Sequence, residues 1–439
     1  HLLGAKEPLM HRLVGSLAAE MGAAYPELLR AQPLIEATLK QEETQFRRTL
    51  DKGLRLLDEA TAGMGAGDVL PGETAFTRYD TDGFPYDLTE DALRAQGFGI
   101  DAAGFEAAMA EQKARARAAW KGSGAKASDD VWFDIAERVG STEFTGYTAS
   151  EGEGQVVALV NDGVEVQSAV ANDTVTVITN QTPFYGESGG QMGDAGRISG
   201  ANFRGEVTDT AKPLGRLHAH QVTLEQGEIK VGDVVQLKID TERRDALRAN
   251  HSATHLLHAA LRNHLGSHVT QKGSMVAPDR LRFDFSHNQA VTPAEIAAIE
   301  AEVNAHIRHN QTVTTRLMSP DDAVAAGALA LFGEKYGDEV RVLSMGDVGG
   351  ANYSVELCGG THVNALGDIA LFTVISEGAV ASGIRRIEAL TGEAARQHLA
   401  AREAQLKQVA ALFKVAPEEV GARVETLLAE RRTLEKELA

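Results

Sequence analysis

The first 125 residues carry apolar stripes with a helical period, separated by short polar breaks. In residues 34–60, apolar side chains recur every three, four or seven positions and charged residues fill the intervals, which predicts a long amphipathic helix. The stripe consists of Leu39, Phe46, Leu50, Leu54 and Leu57. Thr89 is expected to cap a later helix, because the acidic residues Glu90 and Asp91 follow it. Residues 1–130 are therefore expected to be mainly helical, ending in a small, polar linker at 121–130.

Beyond this linker the pattern changes to short segments rich in β-branched residues, with apolar and polar positions alternating. Three of them, at 154–160, 173–179 and 233–240, have the length and composition of strands. Asp162-Gly163 is the kind of pair that closes a tight hairpin. Several strands at this spacing predict a small antiparallel β-barrel over residues 131–242.

Residues 243–395 mix both periods, with helical segments at 251–266 and 293–310 and strands at 281–286, 339–345 and 370–377. This mixture predicts helices packed against a mostly antiparallel sheet. The tail, 396–439, is expected to be helical again. The fold class is thus multi-domain α+β: an N-terminal helical region, a small antiparallel β-barrel, an α+β domain and a C-terminal helix.

Composition narrows the function classes. The chain has 62 acidic and 43 basic residues and a formal net charge of −19, which disfavours binding to nucleic acid through overall charge, so any such contact needs local basic patches. No apolar run approaches the roughly 20 residues needed to span a bilayer, so no membrane association is expected. The single cysteine, Cys358, excludes an internal disulfide and fits a reducing compartment, hence a cytoplasmic location.

Two residue pairs are suited to binding a metal. His251 and His255 are four residues apart in a predicted helix and so share a face. Cys358 and His362 have the same separation, across a turn that two glycines permit. Either pair alone is more often incidental than functional. Together they form a suitable set for tetrahedral Zn²⁺.

The neighbouring residues argue against one familiar class of zinc enzyme. A zinc protease of the H-E-x-x-H type requires glutamate after the first histidine, where this chain has Ser252. His258 and His264, on the same helix, lack comparable partners in the sequence and are expected to be packing or surface histidines.

The motifs along the chain resemble the alanyl-tRNA synthetase family, in family order. The stretches that match its helical tRNA-recognition region are KEPLMHRLV, EETQF, YDTDGFPYDLT and AGFEAAMAEQKARAR. Those that match its barrel and editing domain are TPFYGESGGQMGDAG, HSATHLLHAAL, QKGS, RLRFDFSH, LFGEKYGDEVRVLSMGD, ELCGGTH and GIRRIEALTGE. The resemblance covers essentially the whole chain.

This resemblance implies a central fragment, with the ATP- and Mg²⁺-dependent aminoacylation domain expected before residue 1 and a globular domain after the helical tail. The implied domains are a tRNA-recognition region at 1–130, a barrel at 131–242, a zinc-dependent editing domain at 243–395 and a helical connector at 396–439. In the family, the editing domain hydrolyses Ser-tRNA and Gly-tRNA formed on the alanine tRNA. Alanine activation is not expected from the fragment itself.

The resemblance also assigns roles to residues of the editing domain. His251, His255, Cys358 and His362 would bind one zinc ion, which either activates water or orients the ester; four protein ligands would favour a structural or positioning role. Thr254 would read the serine hydroxyl, although its side chain can equally bond to the preceding helical turn. Gln271, otherwise an ordinary polar loop residue, would hold the substrate or water.

The implied macromolecular partner is the alanine tRNA, chiefly its acceptor stem and 3′ end. Asp87 matches a family position that reads the G·U pair of the acceptor stem. Arg385 and Arg386 are candidates for phosphate contacts, with a solvated charge pair as the alternative. The glycines of 187–191 either approach the terminal adenosine or serve a barrel turn. The family's companion to Asp87, an asparagine, is expected just upstream of residue 1, so weak and salt-sensitive tRNA binding is expected.

The sequence leaves three alternatives to this assignment, and it argues against two of them. A free-standing editing protein acting in trans shares the barrel and zinc site, but the helical region 1–125 argues against it. A non-catalytic RNA-binding module with structural zinc is the second. The threonyl-tRNA synthetase editing module resembles the histidine pair, whereas ELCGGTH and GESGGQ favour the alanine family.

Overall fold

The computed structural model describes residues 7–65, 67–80, 84–119, 129–325, 327, 340–348 and 351–438. The chain divides into two compact units, His1–Lys126 and Ala127–Ala439. None of the helices in the described ranges is both long enough and apolar enough to cross a membrane. Most of the predicted linker at 121–130 lies outside the described residues.

The first unit is built from helices, as its apolar stripes predict. Its described elements are α1 (Met10–Met21), α2 (Pro26–Thr61), β1 (Val69–Leu70), α3 (Gly72–Asp80), α4 (Tyr86–Gln96), β2 (Gly99–Ile100) and α5 (Ala102–Ala119). The stripe of α2 leads into the core of this unit, where Leu57, Phe84 and Leu93 are buried. The long amphipathic helix predicted over 34–60 is therefore confirmed.

The predicted capping role of Thr89 is wrong. Helix α4 begins at Tyr86, three residues earlier, and is preceded by Pro85. Thr89 lies inside the helix and is buried, and its hydroxyl donates to the carbonyl of Pro85 at 3.1 Å. Proline before the first turn set the helix start, because it cannot donate the amide hydrogen bond that a continuing helix would require.

The second unit begins with α6 (Asp129–Val139) and a closed barrel. The strands of this region are β3 (Glu143–Phe144), β4 (Glu151–Asn161), β5 (Val164–Val166), β6 (Ser168–Val170), β7 (Thr174–Thr179), β8 (Gln181–Thr182), β9 (Gly196–Ser199), β10 (Phe203–Ala211), β11 (Ala219–Lys230) and β12 (Val234–Ile239). Six of them pair in the order β10-β9-β12-β4-β7-β11, and a β10–β11 pairing closes the ring. The predicted antiparallel barrel and the hairpin at Asp162-Gly163 are confirmed, with positive φ at both turn residues.

A long helix, α7 (Thr241–Leu265), follows the barrel and is buried along most of its length. Asp240 begins it by accepting a hydrogen bond from the backbone of Arg243. The helix packs with α8 (Pro293–His309) against a sheet of order β13-β14-β19-β18. The elements after α7 are β13 (Gln271–Val276), β14 (Leu281–Ser286), α8, β15 (Thr314–Met318), α9 (Pro320–Ala325), β16 (Val340–Val348), β17 (Ala351–Leu357), β18 (Phe372–Ala381) and β19 (Ile384–Thr391).

The expected α+β layer is therefore confirmed, with a second sheet, β15-β16-β17, beside it. Several contacts tie this layer to the barrel within the second unit, two of which involve the loop at 187–191 and helix α7. The loop at 187–191 pairs with β13, where Val276 donates its backbone N–H to Gly190 at 2.7 Å. Arg244 of α7 forms a fully buried ion pair with Asp194 and donates to the carbonyls of Gly146 and Pro183.

The tail is helical, as predicted, but interrupted. Helix α10 (Gly392–Phe413) is followed by Lys414, which has a left-handed conformation with φ of 55°. A short 3-10 turn at Pro417–Glu419 then leads into α11 (Val420–Leu438). Pro417 cannot continue a helix from the preceding turn, which explains the interruption.

Candidate metal centre

Four side chains from two separate parts of the second unit converge on one point. His251 and His255 project from α7, while Cys358 and His362 lie in the loop that follows β17. Their ligand atoms all lie within 4.8 Å of one another. The Cys358 thiol sulphur is 3.5 Å from Nε2 of His251 and 3.2 Å from Nε2 of His362.

The amide of Gln191 fixes the orientation of His251. Its Oε1 accepts the backbone N–H of Thr361 at 2.9 Å and lies 2.8 Å from Nδ1 of His251. An oxygen that accepts from Thr361 is an acceptor for the histidine too, so Nδ1 carries the proton and Nε2 has a free lone pair. The Gln191 amide nitrogen in turn donates to the Thr361 hydroxyl at 2.9 Å.

Glu356 orients the second histidine in the same way. Its carboxylate lies 2.9 Å from Nδ1 of His255 and 3.0 Å from Nδ1 of His258. A carboxylate only accepts, so both Nδ1 atoms donate to it. Nε2 of His255 is buried and has no hydrogen-bond partner among the residues that the structure describes. A metal-ligating histidine usually has this arrangement, with its second nitrogen bonded to a carboxylate or an amide oxygen.

The histidines of the cluster favour the ligand form of the cysteine. Burial opposes ionisation of Cys358, but its interactions with His251, His362 and His255, including the hydrogen bond with His251, outweigh burial and lower the pKa of the thiol well below its ordinary value. Burial lowers the pKa of His362 to about 3, so this imidazole is neutral at physiological pH. Thiolate and neutral imidazole are the forms that bind zinc.

His255 differs from His362 in its charge. Burial opposes its protonation, but the carboxylate of Glu356 outweighs burial and raises the pKa of His255 above its ordinary value. The same pair lowers the pKa of Glu356 below its ordinary value, against the effect of burial. A ligand must give up its proton, so metal binding here would release one. The donor types, their spacing and the unpartnered nitrogen of His255 together fit a zinc ion.

The two glycines of the ligand loop have different roles. A Cβ built on Gly360 would lie 2.1 Å from Cε1 of His251, whereas one built on Gly359 would meet no atom within 4 Å. Close approach to the histidine ring, and not only freedom to turn, therefore requires glycine at position 360.

Thr254 lies between the two histidines of α7 and is buried. Its hydroxyl donates to the carbonyl of Asn250, one turn earlier, at 2.8 Å. This is the helical bond considered as the alternative for this residue, and it leaves the oxygen lone pairs available to accept. Gln271 is half-buried at the start of β13, paired with Phe285 of β14.

The three residues predicted to contact tRNA are not among the four side chains of the cluster. Asp87 is exposed in the first turn of α4. Arg385 and Arg386 of β19 each form a two-point ion pair, with Glu377 and Asp284 respectively, at 2.6–2.8 Å. Arg386 is the more exposed of the two, with 35% of its side chain accessible against 15% for Arg385. A phosphate would therefore compete with, or share, these carboxylate bonds.

His258, expected to be a packing or surface histidine, is buried and shares Glu356 with His255. His264 is half-exposed and pairs with Glu302 at 2.7 Å. Sequence reasoning did not identify Glu356 or the role of Gln191. No local pattern marks either residue, although Gln191 ends the glycine-rich stretch. In that stretch Gly189 and Gly190 have φ of 59° and 83°, as a tight turn requires.

Comparisons with known proteins agree with this architecture. A family model described as tRNA synthetases class II (A) matches residues 1–243, and one described as the threonyl and alanyl tRNA synthetase second additional domain matches residues 340–388. The chain is 70% identical to the alanine–tRNA ligases of Rhizorhabdus wittichii and Sphingopyxis alaskensis, and 58% identical to that of Parvibaculum lavamentivorans. Each comparison covers 100% of this chain and 50% of the relative, so the chain spans about half the length of the curated relatives it matches.

Proposed function

The chain belongs to the class II (A) tRNA synthetase family, and we propose that its own activity is editing: hydrolysis of Ser-tRNA and Gly-tRNA wrongly formed on the alanine tRNA. The observation that carries this proposal is the four-residue cluster. Its donors are already oriented by Gln191 and Glu356, and the chain also matches the threonyl and alanyl second additional domain.

A second site of this kind answers a physical problem of selectivity. Serine differs from alanine by one hydroxyl and glycine by one methyl, and an apolar pocket discriminates against such analogues by only about 10- to 200-fold. Hydrolysis of the wrong ester at a separate site multiplies that selectivity. The full-length relatives are named alanine–tRNA ligases, so we propose that ATP and Mg²⁺ serve the ligase reaction outside this chain.

In this proposal His251, His255, Cys358 and His362 hold one zinc ion. The bound ion would supply a Lewis acid that polarises or positions the ester. Gln191 accepts from Nδ1 of His251, and Glu356 accepts from Nδ1 of His255. These bonds orient each ring so that its Nε2 is available as a ligand.

Thr254 discriminates serine from alanine through its acceptor lone pairs. Its hydroxyl proton is committed to the Asn250 carbonyl, so the oxygen accepts a bond from the serine hydroxyl but gains nothing from the alanine methyl. We assign Gln271 to hold the substrate or the attacking water with its amide. Glycine has no side-chain hydroxyl, so its release would not depend on Thr254.

The proposed partner is the acceptor stem and 3′ end of the alanine tRNA, met in the cytoplasm. Because the net charge is −19, tRNA binding depends on local contacts. We propose that Asp87 contacts the acceptor stem and that Arg385 and Arg386 contact phosphates. From the family resemblance we also propose four domains: a tRNA-recognition region at 1–130, a barrel at 131–242, an editing domain at 243–395 and a helical connector at 396–439.

Serine release from Ser-tRNA(Ala) tests this function. The parent chain should release serine much faster than alanine, and a His251→Ala, Cys358→Ala double variant should not. His264→Ala is the matched control, because His264 lies on the same helix but pairs with Glu302 instead of facing the cluster. The proposed editing function is wrong if the double variant releases serine as fast as the parent.

Thr254→Val gives a sharper test, since it keeps the shape and removes the hydroxyl. We expect it to slow release of serine and to leave release of glycine unchanged. Equal slowing of both would mean that Thr254 supports the helix and does not read the substrate.

A further inference from the structure

The turn between Cys358 and His362 is held from outside by two residues that belong to neither metal pair. Tyr147, in the turn before β4 of the barrel, donates its phenol proton to the carbonyl of Gly359 at 2.8 Å. The tyrosine ring rests against Phe144, edge to face, with centroids 4.8 Å apart. The barrel thus presents a fixed hydrogen-bond donor to the ligand turn.

Arg341, near the start of β16, holds the next peptide. Its guanidinium donates to the carbonyl of Gly360 at 2.7 Å, and its own carbonyl accepts the backbone N–H of Cys358 at 3.0 Å. The guanidinium carbon also lies 3.7 Å from the centroid of the Tyr147 ring, in cation–π contact. The two residues therefore brace each other as well as the turn.

We propose that Tyr147 and Arg341 are positioning residues, a clamp that holds the turn at 358–362 in the conformation that places both of its ligand atoms. This inference rests on the proposed zinc site. The side chains of the clamp reach the turn through the consecutive carbonyls of Gly359 and Gly360, residues without side chains that packing could fix.

The need for such a clamp follows from the two glycines. Glycine loses more backbone freedom on ordering than any other residue, so a Gly-Gly turn is loose unless its polar groups are bonded. Here Tyr147 and Arg341 bond the two carbonyls, and Gln191 bonds the next amide, that of Thr361. Loss of one of these bonds should leave Cys358 and His362 present, but the turn should less often hold both of them in the position that binds the metal.

Zinc release tests the clamp directly. The full chain, loaded with one equivalent of zinc, is mixed with excess chelator and the rate of transfer is recorded. Tyr147→Phe removes one hydroxyl and keeps the ring beneath Arg341. Arg341→Met keeps the stem and removes the bond to Gly360, the cation–π contact and a 3.3 Å bond to the Thr315 hydroxyl. Supporting partners of metal sites typically contribute 10- to 100-fold in affinity, so release should accelerate about tenfold or more, with the larger effect in Arg341→Met.

Two matched controls separate the clamp from general loosening. Tyr353→Phe removes a tyrosine hydroxyl bonded to Glu302, and Arg204→Met removes an arginine paired with Glu225 on the barrel surface. Both should release zinc at the parent rate. Thermal unfolding of the chelator-treated proteins should be nearly the same for the parent and Tyr147→Phe, because the clamp orders the turn rather than the core.

The outcomes are distinct. Parent-like release in both clamp variants, with the parent holding zinc, would overturn the clamp and leave the zinc site standing. A parent chain that binds no zinc would refute the metal site and the clamp with it. Faster release in the clamp variants alone, with unfolding unchanged, supports the proposal.

Discussion

Gly360 lies against the ring of His251, so close that a Cβ on the glycine would be 2.1 Å from the ring carbon Cε1. Residues 109 positions apart in the chain thereby share one contact surface, and the ligand loop reaches the helical histidines only because position 360 has no side chain.

Gly360→Ala should therefore displace His251 or the loop. Alanine at this position cannot avoid the ring without moving a ligand, so we expect zinc affinity to fall by at least about tenfold, as for other disturbed metal sites. Gly359→Ala is the matched control, since its Cβ would enter open space. Competition titration with a zinc chelator measures both, and equal affinity for the two variants would contradict this account of the loop.

Glu356→Gln should weaken the metal site without unfolding the domain. The amide preserves the shape of the side chain but replaces a charged acceptor shared by His255 and His258. We expect zinc affinity to fall by about 10- to 100-fold. Glu302→Gln, which removes a carboxylate bonded to His264 in the last turn of α7, should bind zinc like the parent.

The buried histidines of the barrel predict acid sensitivity. His220 is wholly buried, with Nδ1 donating to the carbonyl of Val177 at 2.8 Å, and burial lowers its pKa to about 4. An unfolded histidine titrates near 6.5, so below that pH the unfolded state takes up a proton that the folded barrel refuses. Stability is complete above pH 6.5 and falls as the pH drops towards 4, by up to about 3 kcal/mol for this one group.

The slope of unfolding free energy against pH checks this prediction. On chelator-treated protein, His220→Gln should be less stable than the parent at pH 7 but lose less stability between pH 6.5 and 4.5. If both proteins lose stability in parallel, His220 does not titrate as described.

The buried ion pair between Arg244 and Asp194 predicts a large cost for one substitution. Both side chains are only 1% exposed, and Asp194 is the carboxylate that balances the guanidinium. Asp194→Asn leaves the charge of Arg244 uncompensated in the interior, which typically costs about 3–5 kcal/mol. Glu225→Gln, at the exposed pair with Arg204, should cost no more than about 1 kcal/mol. Denaturant unfolding measures both, and a similar small loss would contradict the structural role of the pair.

The parts of the fold that were predictable are those with a local cause. The apolar stripe of residues 34–60 and the segment 293–310 are helices because their side chains repeat with the helical period. Asp162-Gly163 closes a hairpin because both residues accept positive φ. The prediction that Thr89 caps a helix failed because it rested on residue type alone, whereas Pro85 sets the start of the helix.

The site was predictable only in its ligands. His251 and His255 share a helical face, and the Cys358–His362 spacing is visible in the sequence, so the donor types were open to inference. The residues that orient these ligands could not be inferred from the sequence. Gln191 is 60 residues from His251 and Glu356 is 98 residues from His258. The pairing of the barrel loop with β13 and the packing of β17 against α7 bring them near.

Removal and return of zinc tests the central claim most directly. Serine release from Ser-tRNA(Ala) is measured on the parent chain, on the chain stripped with chelator, and after one equivalent of zinc is added back. We predict that stripping abolishes release and that zinc restores it in the parent but not in the His251→Ala, Cys358→Ala double variant. Undiminished release by a stripped chain shown to hold no metal would contradict the proposal that the cluster is a zinc-dependent editing site.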